Sequence, residues 1–117
     1  MTKQEMVQLF KELNVPISES TPRDNDMEEE FRLHYWDYYW EDNMASGEDY
    51  STIVTYQISV TANKPRHPKL MELKKKLNDR GLHPCIQHEY NADKRRVHSF
   101  FALDVLENLM SEEEKNE

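Results

Sequence analysis

The stretch YSTIVTYQISVTA, residues 50–62, decides the fold class of this chain. Large apolar or aromatic side chains occupy every second position from Val54 to Val60, and polar side chains occupy the positions between them. A period of two places all the large side chains on one face of a β-strand. The stretch therefore predicts a strand with one face toward a core and one polar face.

The segments on either side of this strand predict the order α-β-β-α-β-β. A T-x-x-E capping box followed by an apolar i, i+3, i+4, i+7 face predicts a helix over 3–13. Pro68 and Gly81 mark the start and the end of a second helix over 68–80, whose apolar face carries Leu70, Met71, Leu73 and Leu77. Further strands are predicted over 30–41, 83–90 and 96–106. We expect an α+β fold, with a mainly antiparallel four-stranded sheet and helices packed on one face.

The length of 117 residues fits one domain. We expect a single α+β domain over 1–110, with a long polar loop at 14–27, and a disordered acidic tail over 111–117. The polar N-terminus has no apolar signal segment, and Cys85, the single cysteine, fits a reducing compartment. We therefore expect a soluble protein of the cytoplasm, and we expect Cys85 to be a small core residue.

The net charge of −8 is unevenly distributed along the chain. Residues 19–49 contain eleven acidic and two basic residues, whereas residues 64–96 contain ten basic and four acidic residues. Either these are two solvated surfaces, or the acidic surface of one subunit meets the basic surface of the next, as in a closed ring. The candidate interface charges are Glu28, Glu29, Lys74, Lys75 and Lys76.

The segment YWDYYW, residues 35–40, has five aromatic side chains among six residues. Strict alternation would place Trp36, Tyr38 and Trp40 on one face of the strand, opposite the face that carries Tyr35 and Tyr39. The first face is either buried within the monomer or exposed as a protein interface, in which Trp and Tyr supply most of the binding energy. Stacking on nucleic-acid bases conflicts with the acidic surroundings.

Catalytic and metal motifs are scarce in this sequence. With two glycines the chain cannot form a glycine-rich phosphate loop, and one cysteine excludes a Cys-x-x-Cys pair. His88 and His98 would face each other across the loop 91–95 and could begin a zinc site. A register shifted by one residue pairs Tyr90 with Val97 and keeps apolar residues together, so we favour it. It separates the two histidines, and we expect no catalytic residue, metal or cofactor.

The layout of residues 1–106 resembles the tail-terminator, or tail-completion, proteins of long-tailed bacteriophages, which include the tail-to-head joining group. The resemblance is carried by the helix 3–13, the aromatic strand 31–40, the strand STIVTYQISV at 51–60, the helix 70–77 with its ending at Leu82, and FFAL at 100–103.

The resemblance implies a soluble subunit, made in the cytoplasm of the infected bacterium, which forms a ring, typically a hexamer, on the end of the tail tube. The implied partners are further copies of the chain, the tail-tube protein and the head connector. DNA would pass through the ring without specific binding, and no membrane or cofactor is involved. The alternatives are the neighbouring head-closure protein, a monomeric adaptor or inhibitor that binds through residues 35–40, and a small enzyme.

Overall fold

The computed structural model of the chain describes residues 1–20, 30–43 and 51–109. Their elements, in chain order, are α1 (Lys3–Lys11), β1 (Ile17–Glu19), β2 (Phe31–Asn43), β3 (Ser51–Ala62), α2 (Pro68–Asp79), β4 (Gln87–Asn91) and β5 (Arg96–Glu107). The α+β class is confirmed. The sheet differs from the prediction, because it has five strands in the order β1-β2-β3-β5-β4 and is mixed.

The fifth strand, β1, lies inside the segment that we predicted to be a loop. It runs parallel to β2 with Ile17 opposite Leu33, while all other strand pairs are antiparallel. The amide of Ser20 donates to the carbonyl of Tyr35 over 2.8 Å and continues the pairing just beyond β1. The remainder of the predicted loop (21–27), the acidic pair Glu28 and Glu29, and the predicted tail (111–117) lie outside the described residues.

Strand β3 forms the centre of the sheet, between β2 and β5. Its predicted alternation is confirmed, since Val54, Tyr56, Ile58 and Val60 are each 2% exposed or less. Ser59 lies on the opposite face and is also fully buried. The polar pattern does not predict this burial. The cross-strand neighbours of Ser59 are His34 and Phe100, two large residues of the flanking strands.

Both helices begin and end at residues that satisfy their terminal backbone groups. The amide of Glu5 donates to the hydroxyl of Thr2, which caps α1 as predicted. Helix α1 ends earlier than predicted, and Asn14 follows in the left-handed region with φ +56°. At the end of α2, Gly81 has φ +77° and the amide of Leu82 donates to the carbonyl of Leu77. This is the glycine-terminated end that the sequence predicted.

The two helices pack on one face of the sheet, as expected, and we call this the helix side. Its buried core combines Met6, Leu9, Phe10 and Leu13 with Leu70, Leu73 and Leu77 of α2 and with the strand residues Phe31, Leu33, Tyr35, Val54, Tyr56, Ile58, Val60, Ala62, Phe101, Leu103 and Val105. Each large side chain buried there contributes about 1.5–3 kcal/mol of transfer free energy. Within residues 1–20, 30–43 and 51–109, neither helix has the length and apolar character needed to cross a membrane.

The hairpin of β4 and β5 adopts the shifted register that we favoured. Tyr90 lies opposite Val97, His88 opposite Ser99, and Glu89 opposite His98. Neighbouring positions along a strand face opposite sides of the sheet, so His88 and His98 are separated. Strand β4 begins at Gln87, four residues later than predicted, and Cys85 is exposed. The expectation of a core cysteine is therefore wrong, because the segment before β4 lies at the surface.

Candidate functional site

A β-bulge in β2 decides where the aromatic segment points. Asp37 lies opposite Tyr56, but Tyr39 lies opposite Thr55, so Tyr38 is an extra residue without a partner on β3. One extra residue exchanges the two faces of the strand beyond it. Trp40 consequently lies opposite Val54, on the helix side of the sheet.

The prediction that Trp36, Tyr38 and Trp40 share one face of the strand is therefore wrong. Trp36 lies opposite Gln57, on the face that carries no helix of the described residues, and we call this the open face. Tyr39 shares the open face with Trp36, because the bulge separates it from Tyr35. The single predicted aromatic surface is in fact divided between the two sides of the sheet.

The aromatic side chains at and beyond the bulge are exposed. Tyr38 is 56%, Tyr39 is 54% and Trp40 is 60% exposed. The indole nitrogen of Trp40 donates to Oδ2 of Asp37 over 2.7 Å, which holds the ring beside the strand. By contrast, Tyr35 is 5% exposed and packs against Phe10 in the core. Packing within the monomer thus accounts for the aromatic residue at position 35, and it does not account for those at positions 38–40.

These aromatic residues also lie on an edge of the sheet that the described strands form. Strand β1 covers β2 only from Leu33 to Tyr35, and no other strand of the described residues pairs with that side of β2. We call residues 37–42 the aromatic edge; besides its rings it carries Asp37, Glu41 and Asp42. Unpaired backbone groups at a strand edge can pair with another strand. The edge therefore offers backbone hydrogen bonds, aromatic rings and negative charge together.

The opposite edge of the sheet, at β4, has a different character. A groove with a volume of about 380 Å³ lies between α2 and the segment that leads into β4. Its lining consists of Arg66, Leu70, Met71, Lys74, Pro84, Ile86 and His88. We call it the basic groove, because its walls are apolar and, among the described residues, its charged lining consists of Arg66 and Lys74, with no carboxylate.

The structure separates the three lysines that the sequence grouped together. Lys74 lines the basic groove, whereas Lys75 is exposed and is not among the groove residues. Lys76 donates to Oε2 of Glu12 over 3.0 Å and connects α2 to α1 within the protomer. Sequence reasoning missed Met71 as a groove residue, because we placed it on the buried face of α2, yet it is 49% exposed.

The open face holds a polar cluster around two histidines. The hydroxyl of Ser59 contacts Nε2 of His98, and Glu89 is the cross-strand neighbour of His98. Burial lowers the pKa of His34 to about 4, with smaller contributions from the charges of Arg32 and His98. Burial also lowers the pKa of His98. Both imidazoles are therefore neutral at pH 7.

The order Ser, His, Glu resembles a nucleophile with its base, but the geometry does not support this chemistry. Ser59 is 0% exposed, so a substrate has no approach to its hydroxyl. Its strand is paired on both sides, with Ser59 opposite His34 and Phe100, so the local backbone lies within the sheet ladder. A nucleophile needs both access and nearby free N–H groups for an oxyanion. We regard the cluster as structural.

Within the described part of the chain, no three His, Cys, Asp or Glu side chains are grouped as ligands of a metal ion. The features that remain as a candidate site are the aromatic edge and the basic groove, at opposite edges of one sheet. Such surfaces can bind protein segments by strand pairing, by insertion of an aromatic anchor and by charge attraction. Comparisons with protein-family models and with curated proteins find no match to this chain.

Proposed function

We propose that this protein is a structural subunit of a bacteriophage tail or neck, which forms a ring on the end of the tail tube and joins it to the head connector. The observation that carries the proposal is the exposure of Tyr38, Tyr39 and Trp40 on a strand edge with which no further strand of the described residues pairs. Exposed rings of this density are typical of protein interfaces. The specific role is inferred from the order of helices and strands over residues 1–106, which resembles that of tail-terminator proteins.

The position of the two candidate surfaces supports a ring. The aromatic edge and the basic groove differ from each other and lie at opposite edges of the sheet. Two different surfaces on one subunit make heterologous, head-to-tail contacts, and these generate rings when the rotation closes. The proposed ring is a hexamer, and Glu28, Glu29 and Lys75 remain further candidates for its contacts.

The net charge of −8 fits the proposed passage of DNA through the ring. An acidic surface repels phosphates, so DNA would slide through the opening without specific binding. The subunit would assemble in the host cytoplasm without a cofactor and would then remain in the virion.

The decisive experiment adds the purified full-length chain to polymerising tail-tube protein of the same phage. We expect tubes of limited length, with the subunit at one end in electron micrographs, and ends that then bind the head connector. Tubes that grow to the same length with and without the subunit, and that carry none of it at their ends, would exclude the tail-terminator role.

A second candidate function is that of a monomeric adaptor or inhibitor of a host protein. The same exposed residues, Tyr38 to Trp40, favour it, because a single aromatic strand edge is enough to bind one partner. The head-closure protein of the neck is the other structural role. Binding to the head connector in the absence of tail tubes would favour head closure, and a chain that stays monomeric and binds neither would favour the adaptor.

A further inference from the structure

We propose that the contact between neighbouring copies continues the sheet: the aromatic edge of one copy lies along β4 of the next and places Trp40 in its basic groove. This inference rests on the proposed ring and identifies the two surfaces that would form it. The occupant of the groove is thus a second copy of this chain.

Both surfaces lie on edges of the sheet. Strand β4 is the last strand on its side, and all five of its residues are exposed. At the opposite edge, β2 continues beyond the short β1, so residues 37–42 pair with β3 on one side and with no strand of the described residues on the other. Joining one such edge to the other satisfies backbone groups of both strands.

Trp40 and the basic groove are on the same side of the sheet. The bulge at Tyr38 turns Trp40 to the helix side, and His88 in β4 also faces that side, opposite Ser99. β2 and β4 run in opposite directions within one sheet, so a join that sets β2 of one copy antiparallel to β4 of the next makes their helix sides continuous. Trp40 would then be directed toward Met71 and Ile86, the accessible apolar residues of the groove.

The two surfaces are complementary in charge, and the charged residues concerned form no ion pair with another described residue. The ion pairs that the structure gives join Lys3 to Glu19, Lys69 to Glu72, Lys76 to Glu12 and Arg80 to Glu5. Among the described residues, Arg66 and Lys74 of the groove have no carboxylate partner, and Asp37 and Asp42 have no cationic one. Asp37 and Asp42 lie on the helix side with Trp40, so the join would bring them to the groove.

The geometry also explains why the contact would propagate from one copy to the next. The aromatic edge on β2 and the edge at β4 are three strand steps apart, roughly 14 Å at ~4.8 Å per strand step, so one copy cannot join its own edges. Each copy would use its aromatic edge on one neighbour and its groove on the other. Repetition of one such head-to-tail contact gives a ring where the rotation between neighbours closes, and an open filament where it does not.

The test uses a charge exchange between two full-length variants, Lys74→Glu and Asp42→Lys, with self-association measured by sedimentation. Both side chains are exposed, so unchanged unfolding midpoints serve as the folding control. Alone, each variant places like charges at the contact, and we expect self-association to be at least about tenfold weaker. In an equimolar mixture the two variants can alternate. Every second contact then has the wild-type pair, Asp42 with Lys74, and the contacts between them have the same pair with its charges exchanged. All contacts are attractive again, so assembly should return.

A second pair of variants tests the aromatic anchor. We expect Trp40→Ala to weaken self-association at least about tenfold. Leu106→Ala is the matched control, because Leu106 is 49% exposed on the open face, opposite Ile53, and lies beyond the residues of β5 that pair with β4, so its replacement should leave self-association unchanged.

The inference fails if the wild-type chain does not self-associate, if Lys74→Glu and Asp42→Lys assemble like the wild type, or if their mixture stays dissociated. It also fails if Trp40→Ala and Leu106→Ala behave alike. These results leave the tube-capping assay untouched. If the wild-type chain caps tubes and the charge exchange has no effect, the proposed function stands. The contact between subunits is then made by other surfaces.

Discussion

Trp40 donates its indole N–H to Oδ2 of Asp37 over 2.7 Å, across the bulge that Tyr38 makes in β2. Asp37 lies opposite Tyr56 and Trp40 lies opposite Val54, so both side chains are on the helix side. The bulge thereby holds an exposed indole beside a carboxylate at the edge of the sheet. The same bulge leaves Tyr39 on the open face, so the strand can contact partners with both sides.

The exposure of Trp40 predicts that its removal affects binding more than folding. We expect Trp40→Ala to lower the free energy of unfolding by less than about 1 kcal/mol, because the ring is 60% exposed. Tyr35→Ala, in the same strand, should cost about 3 kcal/mol or more, because its ring is buried against Phe10. Urea denaturation of both variants measures the difference. Equal losses would mean that Trp40 belongs to the core.

The end of α2 provides a test of backbone conformation. Gly81 has φ +77°, and a Cβ added there would meet no heavy atom within 4 Å. The cost of Gly81→Ala therefore comes from the left-handed backbone alone, and we expect about 1 kcal/mol. Gly81→Asn should cost less, since Asn tolerates this region better. Thermal unfolding of the two variants gives the comparison, and an alanine variant as stable as the wild type would contradict it.

Much of the fold could be predicted because its signals are local. The alternation from Val54 to Val60 and the glycine at 81 each act within a few residues, and both predictions were confirmed. The strand at 17–19 has only three residues and is held by parallel pairing to distant Leu33, so its own sequence carries little signal. The bulge at Tyr38 has no glycine to mark it, and strict alternation therefore assigned the wrong face.

The candidate site was predicted only in part, for a similar reason. Lys74 and the aromatic segment were recognisable from charge and composition. The basic groove is assembled from α2 and the segment before β4, and the position of Met71 at its wall depends on how the helix is rotated in the fold. Periodicity placed Met71 on the core face, at the margin of an apolar stripe where exposure depends on tertiary packing.

The buried pair of Tyr56 and Glu107 predicts a loss of stability in alkali. The hydroxyl of Tyr56 donates to Oε2 of Glu107 over 2.9 Å. Burial, followed by this hydrogen bond and the carboxylate charge, raises the pKa of Tyr56 above its usual value near 10. Above pH 10 the unfolded chain loses the proton while the folded chain keeps it, so the free energy of unfolding falls. Below pH 10 the contribution is fully present.

The variant Tyr56→Phe isolates this contribution. At pH 7 we expect it to lower the free energy of unfolding by about 1 kcal/mol, through loss of the hydrogen bond to Glu107. Above pH 10 its stability should decline less steeply than that of the wild type. Urea titrations at a series of alkaline pH values provide the measurement. Parallel curves for the two proteins would show that Tyr56 does not retain its proton in the folded state.

The histidine cluster of the open face predicts the opposite pH dependence, at acidic pH. His34 has a pKa of about 4 because it is buried, with smaller contributions from Arg32 and His98, whereas an unfolded histidine titrates near 6.5. As the pH falls from 6.5 toward 4, the unfolded chain binds a proton that the folded chain does not. The free energy of unfolding therefore decreases over this range, and its full value is present above pH 6.5.

We expect His34→Gln to make that decrease shallower, because the variant takes up as much as one proton fewer when it unfolds. His98, whose pKa is also lowered by burial, accounts for part of what remains, and Glu89 acts on it in the opposite direction. The control is His83→Gln, because His83 is exposed and outside this cluster. Urea midpoints measured from pH 7 to pH 4 give the slopes. If His34→Gln and His83→Gln have the same effect, the folded chain does not lower the pKa of His34.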